Sequence, residues 1–107
     1  MDSPQPYAEV DLDTFAQAHL AAAFVLDVRE PQEYRTARVP GAVLMPLRTV
    51  PDHLDQIPRT DPVYVVCAVG SRSARATEWL RAQGIDAINV AGGTQAWLDS
   101  GRTYEQG

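Results

Sequence analysis

Cys67-Ala68-Val69-Gly70-Ser71-Arg72-Ser73 is the stretch whose residue types and spacing can do chemistry. A lone cysteine followed at once by small residues and an arginine, where a strand gives way to a helix, is arranged to hold an anion. The loop is short enough for several backbone N–H groups to converge on one point, and the helix N-terminus adds positive potential there. A thiol at that point is held partly as thiolate near neutral pH and is nucleophilic. The plainer alternative is a small core hydrophobe, because cysteine is among the most buried residue types. The neighbours separate the two. Gly70 permits a backbone conformation closed to most residues. Ser71 and Ser73 offer hydroxyl donors and a helix N-cap, and Arg72 supplies a planar, permanently charged fork. Together they point to catalysis or anion binding at Cys67.

The elements that must position this loop can be read on either side of it. Val63-Tyr64-Val65-Val66 is an apolar run with the pattern of a buried strand, and the helix after the loop is expected over 72–83, ended by Gly84. Upstream, 7–10 alternates like a short strand, Asp11 can cap a helix over Leu12 to Ala22, and 23–26 is a continuous apolar run ending at Asp27. Pro31 can open a short helix through Tyr34. A turn at Pro40-Gly41, a strand over 42–45 and a short helix from Asp52 to Ile57 follow. After Gly84 come a strand at 87–90, a Gly92-Gly93 turn and a last helix around Thr94 to Leu98. Short apolar strands alternating with short helices predict an α/β domain with a mainly parallel sheet. Such sheets bind ligands beyond the carboxyl ends of their strands. Asp27, Cys67 and Ala91-Gly92-Gly93 all stand just past such ends, so the topology can bring them to one rim. Trp97 and Trp79 are expected to be structural, Trp97 as a core plug and Trp79 packing its helix with Ala76 and Leu80.

Composition narrows the function. A chain of 107 residues suits one domain with one core, and a 45% hydrophobic fraction excludes wholesale disorder. No window approaches the apolar length of a membrane span, and Met1 to Pro6 lacks the basic and apolar regions of a signal peptide, so the expected compartment is the cytoplasm. The formal charge of −5 belongs to residues 1–28, which carry five acidic groups and no basic one; residues 29–107 balance nine Arg against nine acidic groups. A net-acidic chain is a poor candidate for nucleic acid, though local donors can still take a small anion. Lysine is absent, which eliminates Schiff-base and lysine-base mechanisms, and an all-Arg, Ala-rich composition fits a GC-rich bacterial source. Cys67 is the sole cysteine, so no internal disulfide forms, and with only His19 and His53, both expected at the surface, no metal site is expected.

Four pieces in order make a specific resemblance: Leu26-Asp27-Val28-Arg29-Glu30 with Glu33-Tyr34, then Val39-Pro40-Gly41-Ala42, then Cys67 to Ser73, then Gly92-Gly93 with Ala96-Trp97. Across roughly 7–101, the chain resembles the rhodanese-like domain family, with residues 1–6 as a flexible lead and 102–107 as a tail. The resemblance implies a five-stranded, mainly parallel sheet flanked by helices on both faces. It implies a sulfurtransferase that carries sulfane sulfur as a persulfide on Cys67, cradled by Ala68, Val69, Gly70, Ser71, Arg72 and Ser73, with no cofactor beyond that covalent intermediate. A small anionic donor such as thiosulfate would charge the cysteine. A thiol, cyanide or a thioredoxin-like protein would discharge it, and the protein is expected to be a monomer without membrane or nucleic-acid partners. Arg72 would either meet the donor's sulfonate or brace the loop against a carboxylate. Asp27 and Arg29 look like the family's supporting pair, read either as an ion pair joining two loops or as direct participants. Where such domains often have Gly-His before the Pro-Gly turn, this chain has Ala37-Arg38.

Two rivals remain. Cysteine phosphatases also set a cysteine and an arginine at a helix start, but they resemble one another in placing five residues between the two, against four here. The smaller loop suits a sulfur atom better than a phosphoryl group. A non-catalytic sulfur-sensing or partner-binding module could use the same anion-binding loop without transferring anything.

Overall fold

The β-branched runs decide the sheet. In the computed structural model, which describes residues 8–107, the strands are β1 (Glu9–Val10), β2 (Phe24–Asp27), β3 (Val43–Leu44), β4 (Val63–Val66) and β5 (Ala87–Val90). They form one five-stranded sheet in the order β1-β5-β4-β2-β3, with every neighbouring pair parallel. The expected lead over residues 1–6, and Tyr7 at the expected start of the first strand, lie outside the described residues. The strands are connected through α1 (Leu12–Leu20), α2 (Pro31–Thr36), a 3-10 segment (Leu47–Gln56) and α3 (Ser71–Ala82), and α4 (Gly93–Asp99) follows β5.

A parallel sheet must be covered on both faces, and period-two alternation sorts the strand residues between them. Leu26, Val63, Val65 and Ala87 point to one side, where Ala76 and Leu80 of α3 and Val50 of the 3-10 segment cover them. Val25, Val66 and Val90 point to the other, against Phe15 of α1 and Trp97 of α4, with Tyr34 of α2 at the margin. Each fully buried Val, Leu or Phe contributes about 1.5–3 kcal/mol relative to exposure. Trp97 is the expected core plug, its ring centroid 5.5 Å from that of Phe15 in an edge contact.

Several boundaries differ from the sequence expectation, each for a local reason. α1 stops at Leu20 rather than Ala22, because Ala22 turns into the left-handed region at φ 64. α2 runs on to Thr36, and the short helix expected over 52–57 is the end of a longer 3-10 segment that carries Pro51 inside and breaks helical geometry at His53. Trp79 is less buried than a core position: it stays 37% exposed and lines a groove with Leu47, Val50, Pro51, Arg75 and Ala76. His19 is half-buried rather than at the surface, its Nε2 within 2.8 Å of the Pro40 carbonyl. The tail after Gly101 packs back on the domain: Arg38 and Glu105 exchange backbone hydrogen bonds, and Trp97 Nε1 donates to the Thr103 carbonyl.

The connections set the rim. From β2 the chain runs outward to β3, and from β4 it runs outward the opposite way to β5. The segments leaving the carboxyl ends of the adjacent strands β2 and β4 therefore part, which opens a crevice at the point where the strand order reverses. Asp27 ends one of these strands and Cys67 follows the other.

Candidate active site

Cys67 leaves β4 at the centre of the sheet and is fully buried. Three residues on, Gly70 caps α3 with φ 110, a conformation that turns its N–H back toward the sulfur and that an L side chain rarely adopts. The Gly70 amide donates to Sγ at 3.1 Å, and the Ser73 hydroxyl donates to it at 3.3 Å. Burial pushes the thiol up, but the Ser73 hydroxyl and the amides of Ser73, Gly70 and Val69 together outweigh it, so Cys67 is held below the ordinary thiol value. Ser71 behaves otherwise than expected. It is the first residue of the helix rather than its cap, it faces solvent, and its hydroxyl makes no hydrogen bond among the described residues. The hydroxyl contribution comes from Ser73 alone, because only the residue one turn into the helix points down at the sulfur.

Two features outside the loop hold it in shape. The first turn of α4 donates to it: Thr94 N–H to the Cys67 carbonyl at 2.8 Å and Gln95 N–H to the Ala68 carbonyl at 2.9 Å. Each bond satisfies an orphan donor of the helix and an orphan acceptor of the loop. So close an approach needs Gly93, at φ 58; a Cβ there would stand 2.5 Å from the Cys67 carbonyl oxygen. The second feature is Asn89, buried on β5, whose side-chain amide donates to Glu9 at 2.8 Å and more weakly to the Gly70 carbonyl at 3.4 Å.

The charged residues separate into two closed pairs. Arg29 donates to both oxygens of Asp27 at 2.8–3.1 Å and to the Ala37 carbonyl at 2.8 Å, with both side chains buried. The pair ties the end of β2 to the segment after α2. Arg72 forms a parallel two-bond fork with Glu33 of α2, at 2.8 and 2.9 Å, each side chain 34% exposed. The fork drives Glu33 down to about 2, the Arg72 hydrogen bond being the chief cause, and raises Arg72 further above its ordinary value. Of the two uses open to Arg72, this geometry is the brace against a carboxylate.

The pieces brought to one rim are Asp27, Arg29, the Cys67–Ser73 loop and Gly92-Gly93. Thr94, Gln95 and Asn89 also touch the loop and carried little signal; Glu33 and the Gly-Gly pair stood out in the sequence, but not for the contacts they make. Beside the loop, α2 and α4 enclose a cleft of about 260 Å³ lined by Arg29, Glu33, Ala68, Thr94, Gln95 and Leu98. Val69 at the loop tip is 64% exposed, while Cys67 behind it is fully buried. No group of His, Cys, Asp or Glu among the described residues could hold a metal ion, and no helix among them is long and apolar enough to cross a membrane.

Comparison with known proteins places this geometry. Residues 12–100 match the rhodanese-like domain. A sulfurtransferase of Allochromatium vinosum is 30% identical over 96 residues, covering 87% of this chain and 90% of that protein. The Bacillus subtilis protein YrkF, whose name describes it as a sulfur carrier, is 35% identical over 92 residues; the match covers 83% of this chain and half of YrkF. The crystal structure of a rhodanese-like domain protein from Staphylococcus aureus superposes with a TM-score of 0.84 at 37% identity, covering 94% of this chain and 98% of that one. A wholly parallel five-stranded sheet, a cysteine loop at its centre and a match over most of the chain agree: this protein belongs to the rhodanese-like domain family.

Proposed function

We propose that this domain is a sulfurtransferase that moves sulfane sulfur from a donor such as thiosulfate to a thiophilic acceptor through a persulfide on Cys67. The observation that carries the reading is the pair of donors on Sγ, the Gly70 amide and the Ser73 hydroxyl, at a thiol held below its ordinary value. The Cys67 thiolate attacks the outer sulfur of the donor. With thiosulfate, the S–S bond breaks, sulfite leaves with the electron pair, and Cys67 keeps the transferred sulfur as a persulfide anion. Groups that stabilise the thiolate stabilise that anion too, because the new charge sits one bond further along the same axis. An external thiolate or cyanide then attacks the outer sulfur, and the Cys67 thiolate is the leaving group.

Burial of Sγ fits this division of labour. The outer sulfur stands about 2 Å beyond Sγ, so an acceptor reaches it more readily than the donor reaches the resting thiol. Cys67 is the sole cysteine of the sequence, so discharge requires an outside group: a small thiol, cyanide or the cysteine of a thioredoxin-like protein. Arg72 acts as a brace, and Asp27 with Arg29 fixes the neighbouring strand end.

The test is the mass of the intact protein after incubation with excess thiosulfate and removal of the donor. A gain of one sulfur atom, removed by cyanide or dithiothreitol and lost in Cys67→Ser, is the expected result. No gain with any sulfane donor would overturn the reading and leave a sensing or docking module.

A further inference from the structure

The guanidinium groups at the cradle are committed to carboxylates, and the balance of charge is negative. Arg29 is buried and spends its fork on Asp27 and the Ala37 carbonyl. Arg72, the cation within the loop itself, spends both arms on Glu33. A third carboxylate, Glu9, reaches the loop through Asn89, whose amide also touches the Gly70 carbonyl. The next cation along α3, Arg75, lines a separate groove with Leu47, Pro51 and Trp79. Three carboxylates thus face two guanidinium groups, and an ionised Cys67 adds a further negative charge.

Thiosulfate is a dianion and must approach that thiolate while both guanidinium groups that touch the loop or its rim, Arg29 and Arg72, are already committed to carboxylates. A persulfide carries at most one charge, and its outer sulfur needs the same cradle. Resting on the sulfur-transfer reading above, we infer that Glu33 sets the donor class. By holding Arg72 in a closed fork, it biases the site against dianionic donors and toward low-charge organic persulfides. The cleft beside the loop, with Leu98, Ala68 and Thr94 on its walls, offers such a donor's organic part a surface without net charge. In that step the Cys67 thiolate attacks the outer sulfur of the persulfide and the donor's S–S bond breaks. The donor thiolate leaves with the electron pair and takes up the proton its persulfide carried.

The experiment measures charging of Cys67 by thiosulfate and, in parallel, by the persulfide of 2-mercaptoethanol, and reports the ratio of the two second-order rates. Glu33→Gln frees Arg72, so the thiosulfate-to-persulfide ratio should rise about tenfold, the scale a unit charge several ångströms from a dianion gives in a partly screened site. Arg72→Gln leaves Glu33 unopposed, and the ratio should fall by a similar factor. The double variant Glu33→Gln/Arg72→Gln restores neutrality, and its ratio should return to within about twofold of the parent, since the net charge is again the same. In the parent, added salt should speed thiosulfate charging more than persulfide charging, and in Glu33→Gln that difference should shrink. If all variants slow both donors in proportion, Glu33 is only a brace and the inference is overturned. A double variant whose ratio stays as low as that of Arg72→Gln would overturn it too, by showing that Arg72 meets the sulfonate from within the fork. Failure of both donors to charge the parent would refute the sulfur-transfer reading itself, a distinct outcome.

Discussion

Two loops leave the central strands of the sheet at the same rim, and they treat their polar groups in opposite ways. The loop after β4 turns backbone amides and one hydroxyl onto a single sulfur that offers them only weak acceptance. The loop after β2 spends its guanidinium on a carboxylate two residues away and on a carbonyl, leaving the two partners satisfied. Donors aimed at a weak acceptor are ready for a stronger one, a thiolate or persulfide anion, whereas the donors of Arg29 are already matched to Asp27 and Ala37. Proximity to the rim does not decide which residues do chemistry.

The largest effect should come from the sulfur itself. Cys67→Ser is nearly isosteric, so thermal stability should change little while sulfur transfer disappears, as oxygen cannot carry sulfane sulfur; transfer near the parent rate would remove Cys67 from its role. Next is Asp27→Asn, which strands a buried guanidinium. It should cost about 3–5 kcal/mol in urea unfolding, with transfer retained by the fraction that folds. Intact stability with lost activity would mean that the pair participates directly and that the contrast between the two loops is false. Gly93→Ala introduces a Cβ against the Cys67 and Ala68 carbonyls at an unfavourable φ and should cost about 1–3 kcal/mol, with a larger loss of activity than a core change of equal cost. The smallest effect is Ser73→Ala. Cys67 should react with iodoacetamide with an inflection below that of a free thiol. Losing the Ser73 hydroxyl removes the largest contribution that favours the thiolate, so the inflection should move up. An inflection that stays in place would assign the lowering to the amides alone.

What could be read from the residues was local. The runs 23–26, 63–66 and 87–90 announce strands because β-branched and apolar runs bounded by turns have few other solutions. Cys67, Gly70 and Arg72 announce an anion loop because their types are costly to place together without a use. What escaped depends on contacts made across the fold. Ser71 and Ser73 are alike in sequence, and only the helix phase, set by Gly70 at φ 110, decides which points at the sulfur. The fork between Arg72 and Glu33 joins residues far apart in the chain, and no spacing rule pairs them. Gly92-Gly93 reads as a turn, while the need for Gly93 arises from a carbonyl of another loop. Trp79 matches a helix core position by spacing yet lies where the covering 3-10 segment leaves a groove.

The two bonds from α4 to the loop carbonyls also act as a latch with a measurable rhythm. Cys67 is fully buried, and the start of its loop is pinned through the Cys67 and Ala68 carbonyls to the amides of Thr94 and Gln95. If release of this latch is the motion that exposes the sulfur, the deuterium uptake of those two amides should track the openings that admit a reagent to the resting thiol. The reaction rate of the uncharged cysteine should then reach a ceiling that no increase in reagent concentration lifts, and the exchange of two amides on another helix should report where that ceiling lies.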